Sequence, residues 1–213
     1  MRLTGQPELE PRQRVLRAAM AAIAERGVGR VRMTHIAELA GMSSGHILYY
    51  FENKGAIFRE TLRWSEGELA ERWRAELARI EDMPARLVRF VEIYLPQGPD
   101  DPHWALWLEV HDRSLRDHET VAVQDELERV WRGELADIMA LGVRRGEFRT
   151  VDADEVAERY CLLLDGLGFR LIAGYAGWTR RSAIERVTKL AGAELGFRPG
   201  AVPAAQVDAA GSA

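Results

Sequence analysis

Residues 33–51, MTHIAELAGMSSGHILYYF, restrict the fold more than any other stretch of the chain. Two short apolar-periodic runs flank Gly41-Met42-Ser43, a turn in which Gly41 reaches positive φ without a side-chain clash. The first run predicts a helix over about Thr34 to Ala40, with Ile36, Ala37 and Ala40 facing inward. Thr34 suits its N-cap, because a hydroxyl can accept from an orphaned amide. The second predicts a helix from Ser44 to Tyr50 that buries Ile47 and Phe51 and exposes Ser43, Ser44, His46 and Tyr49. Two short helices at this spacing make a helix-turn-helix, whose second helix enters the major groove. Small polar residues at its start allow close approach to base edges, while Tyr49, Tyr50 and Lys54 can bond phosphate oxygens and fix register. By geometry alone the segment also fits a plain αα-hairpin.

The rest of the chain keeps helical periodicity. Val15, Leu16, Ala19, Ile23 and Ala24 form one face of a first helix ended by Gly27. Lys54 opens a long helix with a stripe of Phe58, Leu62, Leu69, Trp73, Leu77 and Ile80. Pro84 fits the first turn of a helix reaching Leu95, and PQGPDDP at 96–102 is a break. Further helices are expected from Trp104 to about Arg116, from about Thr120 to Arg145, over 153–175 and over 180–195. Nothing alternates as a strand does. The fold class is therefore all-α, with about nine helices.

Charge separates the two ends. Residues 1–55 carry eight Arg/Lys against five Asp/Glu, net +3, which leaves −7 for residues 56–213 of a chain whose net charge is −4. A basic head on an acidic body suits a protein that presents one end to phosphates. The lone Cys161 excludes an internal disulfide and sits in the apolar run YCLLLDGLGF, as a buried structural thiol would. No apolar run is long enough to span a bilayer and the N-terminal stretch lacks a signal-peptide core, so a cytoplasmic location with no membrane partner is expected.

Residues 12–62 resemble the DNA-binding domain of the TetR family. The resemblance is carried by Thr34, Ile36-Ala37, Ala40-Gly41-Met42-Ser43, Gly45, Tyr50-Phe51, Lys54 and Ile57-Phe58. By position it implies DNA contacts from Thr34, Ser43, Ser44, His46, Tyr49, Tyr50 and Lys54. Two residues depart from the family's habit: His46 replaces a frequent Thr, and Leu48 replaces a Tyr whose hydroxyl often reaches DNA. From Trp104 to Leu195 the chain looks like the C-terminal domain of the BetI-type subgroup, through WALWLEV, VRRGEF and LLLDGLGFRLIAG.

The expected organisation is a flexible arm at 1–11, a helix-turn-helix domain at 12–56, an effector-binding and dimerisation domain at 57–197 and a disordered tail at 198–213. The last two helices are apolar on more than one side, through Val156, Tyr160, Leu163, Leu164, Leu167, Leu171 and Ile172 and then Ile184, Val187, Leu190, Ala191 and Leu195. Gly166 and Gly168 would allow close helix approach. The pattern fits either a monomer core or a homodimer interface, and the resemblance implies the latter as a four-helix bundle.

Trp104, Trp107, His111, Trp131, Tyr160, Asp165 and Phe169 are the candidate ligand-binding set. Aromatic walls with a carboxylate suit a cationic ligand, although the same residues also read as core. His103, His111 and His118 are poorly spaced for a metal, and no cofactor is expected. Neither a G-x-S-x-G, a P-loop nor an H-E-x-x-H is present, and GLGFRL lacks the third glycine of a dinucleotide fingerprint. The expected partners are double-stranded DNA, a second copy and a small-molecule effector of unknown identity. A DNA-bound dimer without small-molecule input, or less readily a helical enzyme, stays open at this stage. Repression and release by ligand are what the resemblance implies.

Overall fold

The computed structural model describes residues 9–198, and among these the chain is all-α, with nine α-helices and one short 3-10 turn. The helices are α1 (Pro11–Arg26), α2 (Met33–Ala40), α3 (Ser44–Tyr50), α4 (Lys54–Leu77), α5 (Met83–Tyr94), α6 (Pro102–Ser114), α7 (His118–Arg144), α8 (Ala153–Ile172) and α9 (Arg180–Leu195). The 3-10 turn, Val28–Arg30, is too short to carry a periodicity. The arm read over 1–11 and the tail read over 198–213 fall largely outside the described residues, and α1 already begins at Pro11.

The chain divides into two compact units. The first takes residues 1–72 and 100–128, the second 73–99 and 129–213, so α4 and α7 contribute to both. The first unit is built on one apolar cluster. Val15, Leu16, Ala19 and Ile23 of α1 meet Ile36 and Ala37 of α2, Ile47 of α3, Phe58 and Leu62 of α4, Leu106 and Val110 of α6, and Val123 and Leu127 of α7. Thus α6 shares its core with the helix-turn-helix, a non-local contact that no local pattern announces. Charged pairs flank this core: Arg59 binds Asp117 at 3.0 Å and Glu119 at 3.1 Å, and Arg63 binds Glu126 at 2.8 Å. Asp117 is held below the usual carboxylate range, chiefly by the hydroxyl of Thr120.

The second unit buries Met83, Leu87, Phe90 and Val91 of α5, Leu135, Ile138 and Met139 of α7, Val156, Leu164, Leu167 and Leu171 of α8, and Ile184, Val187, Ala191 and Leu195 of α9. Leu162, Leu163 and Phe169 of α8 and Leu190 of α9 stay exposed, so both helices keep an apolar face uncovered within the chain. Gly168 is buried, while Gly166 lies open with nothing within 4 Å of a hypothetical Cβ.

Several local expectations are corrected. Helix α2 starts one residue before Thr34, with Arg32 at the N-cap and His35 Nδ1 accepting from the Arg32 amide at 3.2 Å. Thr34 therefore lies exposed on the first turn rather than capping it. Ala24 is exposed, because the core side of α1 ends at Ile23, and Cys161 is half-buried rather than buried. Helix α7 begins earlier, at His118, and α8 stops at Ile172, where the chain turns through Gly174 at φ 67°.

The start of α6 carries an acid-sensitive group. Asp101 caps it, accepting from His103 N at 3.0 Å and Trp104 N at 3.2 Å. His103 Nδ1 is buried with no hydrogen-bond partner among the described residues. Burial pushes the His103 pKa below its usual 6.5, Arg72 adds to this and Asp101 opposes it. The neutral imidazole is thus favoured by folding. Stability from this group is complete above about 6.5 and is lost as pH falls from there through the depressed folded value. Urea unfolding midpoints of the parent and of His103→Gln, compared from pH 7.5 down to 5.5, should show a steeper loss in the parent. Parallel curves would contradict this.

Candidate functional site

The helix-turn-helix is locked by specific bonds. Gly41 closes α2 at φ 63°, Met42 N returns to Ala37 O at 2.9 Å, and Arg14 Nη2 donates to Ala40 O at 2.6 Å. Ser43 caps α3, its Oγ accepting from His46 N at 3.1 Å. That bond uses an oxygen lone pair and leaves the hydroxyl proton for an acceptor outside. Ile47 is fully buried and Phe51 nearly so, which fixes the roll of α3. The opposite side presents Gly45, His46, Leu48 and Tyr49, with Tyr49 81% exposed. Tyr50 is half-buried and packs against His46 at 5.4 Å and Tyr49 at 5.1 Å. Lys54 opens α4, its Nζ donating to Val31 O at 3.1 Å. All seven DNA-contact candidates therefore lie within the first unit, and Thr34, Ser43, His46 and Tyr49 are exposed.

The ligand candidates separate into two groups. Trp104, Trp107 and His111 belong to the first unit and form a ladder on successive turns of α6, at 5.3 Å and 5.0 Å. His111 Nδ1 lies 2.7 Å from Gln124 Oε1, and Gln124 Nε2 reaches the Trp107 carbonyl at 3.4 Å. His111 is itself exposed.

In the second unit Trp131 stacks on Trp73 at 5.0 Å and 21°, and meets Phe90 at 5.8 Å and Tyr94 at 5.0 Å, both edge-on. Tyr94 Oη donates to Asp165 Oδ1 at 2.7 Å, which ties a carboxylate to one ring of this cluster. Trp73 Nε1 is buried with no hydrogen-bond partner among the described residues. Trp73 and Phe90 are buried, whereas Tyr94, Trp131 and Asp165 are half-buried. Ring faces and a carboxylate are the groups that attract a cation.

Two candidates fall elsewhere. Tyr160 is buried with its hydroxyl 3.1 Å from Glu194 Oε2, and burial together with Glu194 pushes its pKa up. Phe169 is exposed on α8 and meets Tyr175 edge-on at 6.1 Å. Sequence reasoning missed Trp73, Phe90 and Tyr94. Phe90 and Tyr94 stand one turn apart on α5, and Asp165 interrupts an apolar run, so a polar partner for that acid was the available signal. Among the described residues no group of His, Cys, Asp or Glu is placed to hold a metal ion, and no helix is long and apolar enough to cross a membrane.

Residues 15–61 match the profile of bacterial regulatory proteins of the tetR family. Residues 84–196 match the profile of the BetI-type transcriptional repressor C-terminal domain. The HTH-type transcriptional regulator BetI of Yersinia pestis is 35% identical over 83 residues, 38% of this chain and 42% of that protein. BetI of Pseudomonas paraeruginosa is 29% identical over 167 residues, 75% of this chain and 80% of that protein. A transcriptional regulator from Saccharomonospora viridis, solved in complex with choline, superposes with a TM-score of 0.77 at 33% identity. That match covers 86% of this chain and 96% of that one. A TetR-family regulator from Rhodococcus sp., at 22% identity and a TM-score of 0.71, supports the fold alone. The chain belongs to the TetR family of transcriptional regulators, with a C-terminal domain of the BetI type.

Proposed function

We propose that this protein is a homodimeric repressor that grips a palindromic operator through α2 and α3 and is released by a quaternary-ammonium ligand of the choline type. The observation that carries the ligand reading is the box of Trp73, Phe90, Tyr94 and Trp131 with Asp165 at its edge. A quaternary ammonium has no N–H to donate, so ring quadrupoles and a nearby carboxylate are what its recognition requires. Trp73 Nε1 additionally offers a donor to the ligand's hydroxyl oxygen. The choline complex of the Saccharomonospora viridis regulator supports the same reading.

Thr34, Ser43, Ser44, His46, Tyr49, Tyr50 and Lys54 make the DNA contacts in this proposal. A seven-residue recognition helix covers few base pairs, so affinity comes from two heads on half-sites one or more helical turns apart. The exposed Leu162, Leu163, Phe169 and Leu190 of α8 and α9 supply the surface for the second copy. Helix α4 contributes residues to both units, from Lys54 beside the head to Trp73 in the aromatic box. Ligand shifts the population toward a state whose heads no longer match successive grooves. A coupling of about 1–3 kcal/mol lowers operator affinity roughly 5–150-fold.

The test is recovery of a bound duplex from fragmented genomic DNA, followed by titration with and without choline. Dimer-stoichiometric binding that choline weakens within that range is expected. Choline binding that leaves DNA affinity unchanged would remove the regulatory reading, and undetectable choline binding at millimolar concentration would remove the ligand.

A further inference from the structure

We propose that an open cleft beside the helix-turn-helix grips the phosphodiester backbone, adding Arg26, Arg30 and Arg32 to the DNA contacts as a clamp outside the recognition helix. The inference rests on the DNA-binding reading and extends it to residues that the family pattern did not mark. The cleft has a volume of about 650 Å³ and is lined by Arg26, Arg30, Arg32, His35 and Lys54, with Glu25 as its one acid. Four permanent cations against one carboxylate give the cleft a net positive charge, which attracts an anion.

The pairing pattern in the same unit sharpens the point. Arg59, Arg63, Arg113 and Arg116 each hold a carboxylate within 3.1 Å. The guanidinium groups of Arg30 and Arg32 make no ion pair or hydrogen bond among the described residues, and Arg26 has only its exposed neighbour Glu25 at 3.6 Å. Lys54 is pinned by the Val31 carbonyl at 3.1 Å, which leaves two ammonium protons. His35 Nδ1 accepts from the Arg32 amide, so its ring proton sits on Nε2 and is available as a donor.

Position selects DNA over a free anion. Lys54 stands just past the end of α3, and Arg32 is the N-cap of α2, whose first turn exposes Thr34. Helix α3 has seven residues, which is about 10 Å of axis, against a major groove about 12 Å wide. A backbone bounding the groove is therefore within reach of a cleft at one end of the helix. Arg26, Arg30 and Arg32 are exposed, which suits a polymer passing across the surface better than a small molecule enclosed in a pocket.

The experiment uses the full chain and its Arg30→Ala/Arg32→Ala variant. A charge-matched control, Arg79→Ala/Arg144→Ala, removes two exposed arginines of the second unit. Affinity for the selected operator and for a random duplex is measured across a salt series, and thermal melting confirms folding. Each lost phosphate contact flattens the log–log salt slope by about 0.9, so the cleft variant, which loses two contacts from each of the dimer's two heads, should lose about 3.6 from the slope and well over tenfold in affinity on both duplexes. The control should keep the parental slope. An unchanged slope in the cleft variant overturns the clamp while leaving DNA binding itself intact. Loss of inorganic pyrophosphate binding with duplex affinity preserved assigns the cleft to free anions and also overturns it. If the parent binds neither duplex, the DNA-binding reading falls first and the clamp with it.

Discussion

Replacing Asp165 with Asn is expected to weaken choline binding about 100-fold, the equivalent of roughly 2.7 kcal/mol. Asn keeps an oxygen that can accept the Tyr94 hydroxyl, now bonded to Asp165 Oδ1 at 2.7 Å, so the substitution removes charge and little geometry. Two unit charges about 4–5 Å apart attract by about 4 kcal/mol at an effective dielectric near 20, and part of this survives solvent exposure of the half-buried carboxylate. Ring contacts contribute separately: a desolvated cation–π contact is worth about 2 kcal/mol. Trp131 touches Trp73, Phe90 and Tyr94, so Trp131→Ala removes one wall and loosens the other three. Calorimetry with choline and with its neutral carbon isostere, 3,3-dimethylbutanol, separates the contributions. The parent should prefer choline strongly, Asp165→Asn should lose most of that preference, and Trp131→Ala should weaken both ligands. Equal choline affinity in parent and Asp165→Asn would show that the carboxylate plays no part in recognition.

The head was legible because its signals are local. Gly41 announces the turn, Ser43 caps α3 as a small hydroxyl residue should, and Ile36, Ala37, Ile47 and Phe51 repeat at helical spacing. The error at Thr34 has a simple source. A threonine before an apolar run is a good cap, but the His35 ring captured the Arg32 amide and moved the start of the helix back. Trp104, Trp107 and His111 were readable as a ladder for the same reason, since three and four residues make one turn.

The aromatic box was only half legible. Periodicity identifies which side of a helix is apolar, but it does not say which buried ring meets a ring from a distant helix. Trp73 was placed on the α4 stripe with Phe58, Leu62 and Leu77, and nothing in that stripe distinguishes it from core. Its position against Trp131, on α7, comes from long-range packing. Asp165 was conspicuous for its charge within an apolar run, yet its partner Tyr94 lies on α5, 71 residues away. Likewise, Leu106 and Val110 look like ordinary core positions, and only the assembled structure gives them to the core of the head. That placement makes α6 and α3 parts of one apolar cluster.

Gly142→Ala should destabilise the protein by about 2 kcal/mol, opposite in sign to the usual effect of this substitution in a helix. Alanine at an interior helical position gains about 1 kcal/mol over glycine. Gly142 lies in the last turn of α7, where the following chain folds back over it. Glu147 N and Phe148 N both bond the Gly142 carbonyl, at 3.0 and 3.1 Å, and Gly146 makes the reversal at φ 74°. Phe148 is thereby laid across the helix, buried, with its ring 5.6 Å from that of Phe197. A Cβ on residue 142 would stand 2.2 Å from Phe148 Cδ2 and 2.5 Å from Cε2. Neither atom is a flexible tip, and Arg149 N, bonded to Leu195 O at 2.7 Å, holds the segment from the other side. Overpacking of a buried ring costs about 3 kcal/mol, which outweighs the propensity gain. A double-mutant cycle with Phe148→Ala isolates the clash. Phe148→Ala alone should cost about 3–5 kcal/mol, and the pair should be less destabilised than the sum by at least about 2 kcal/mol, because the methyl enters the vacated space. Additive effects, or a Gly142→Ala chain with a higher urea midpoint than the parent, would mean that the turn yields easily and that Phe148 does not depend on the missing side chain.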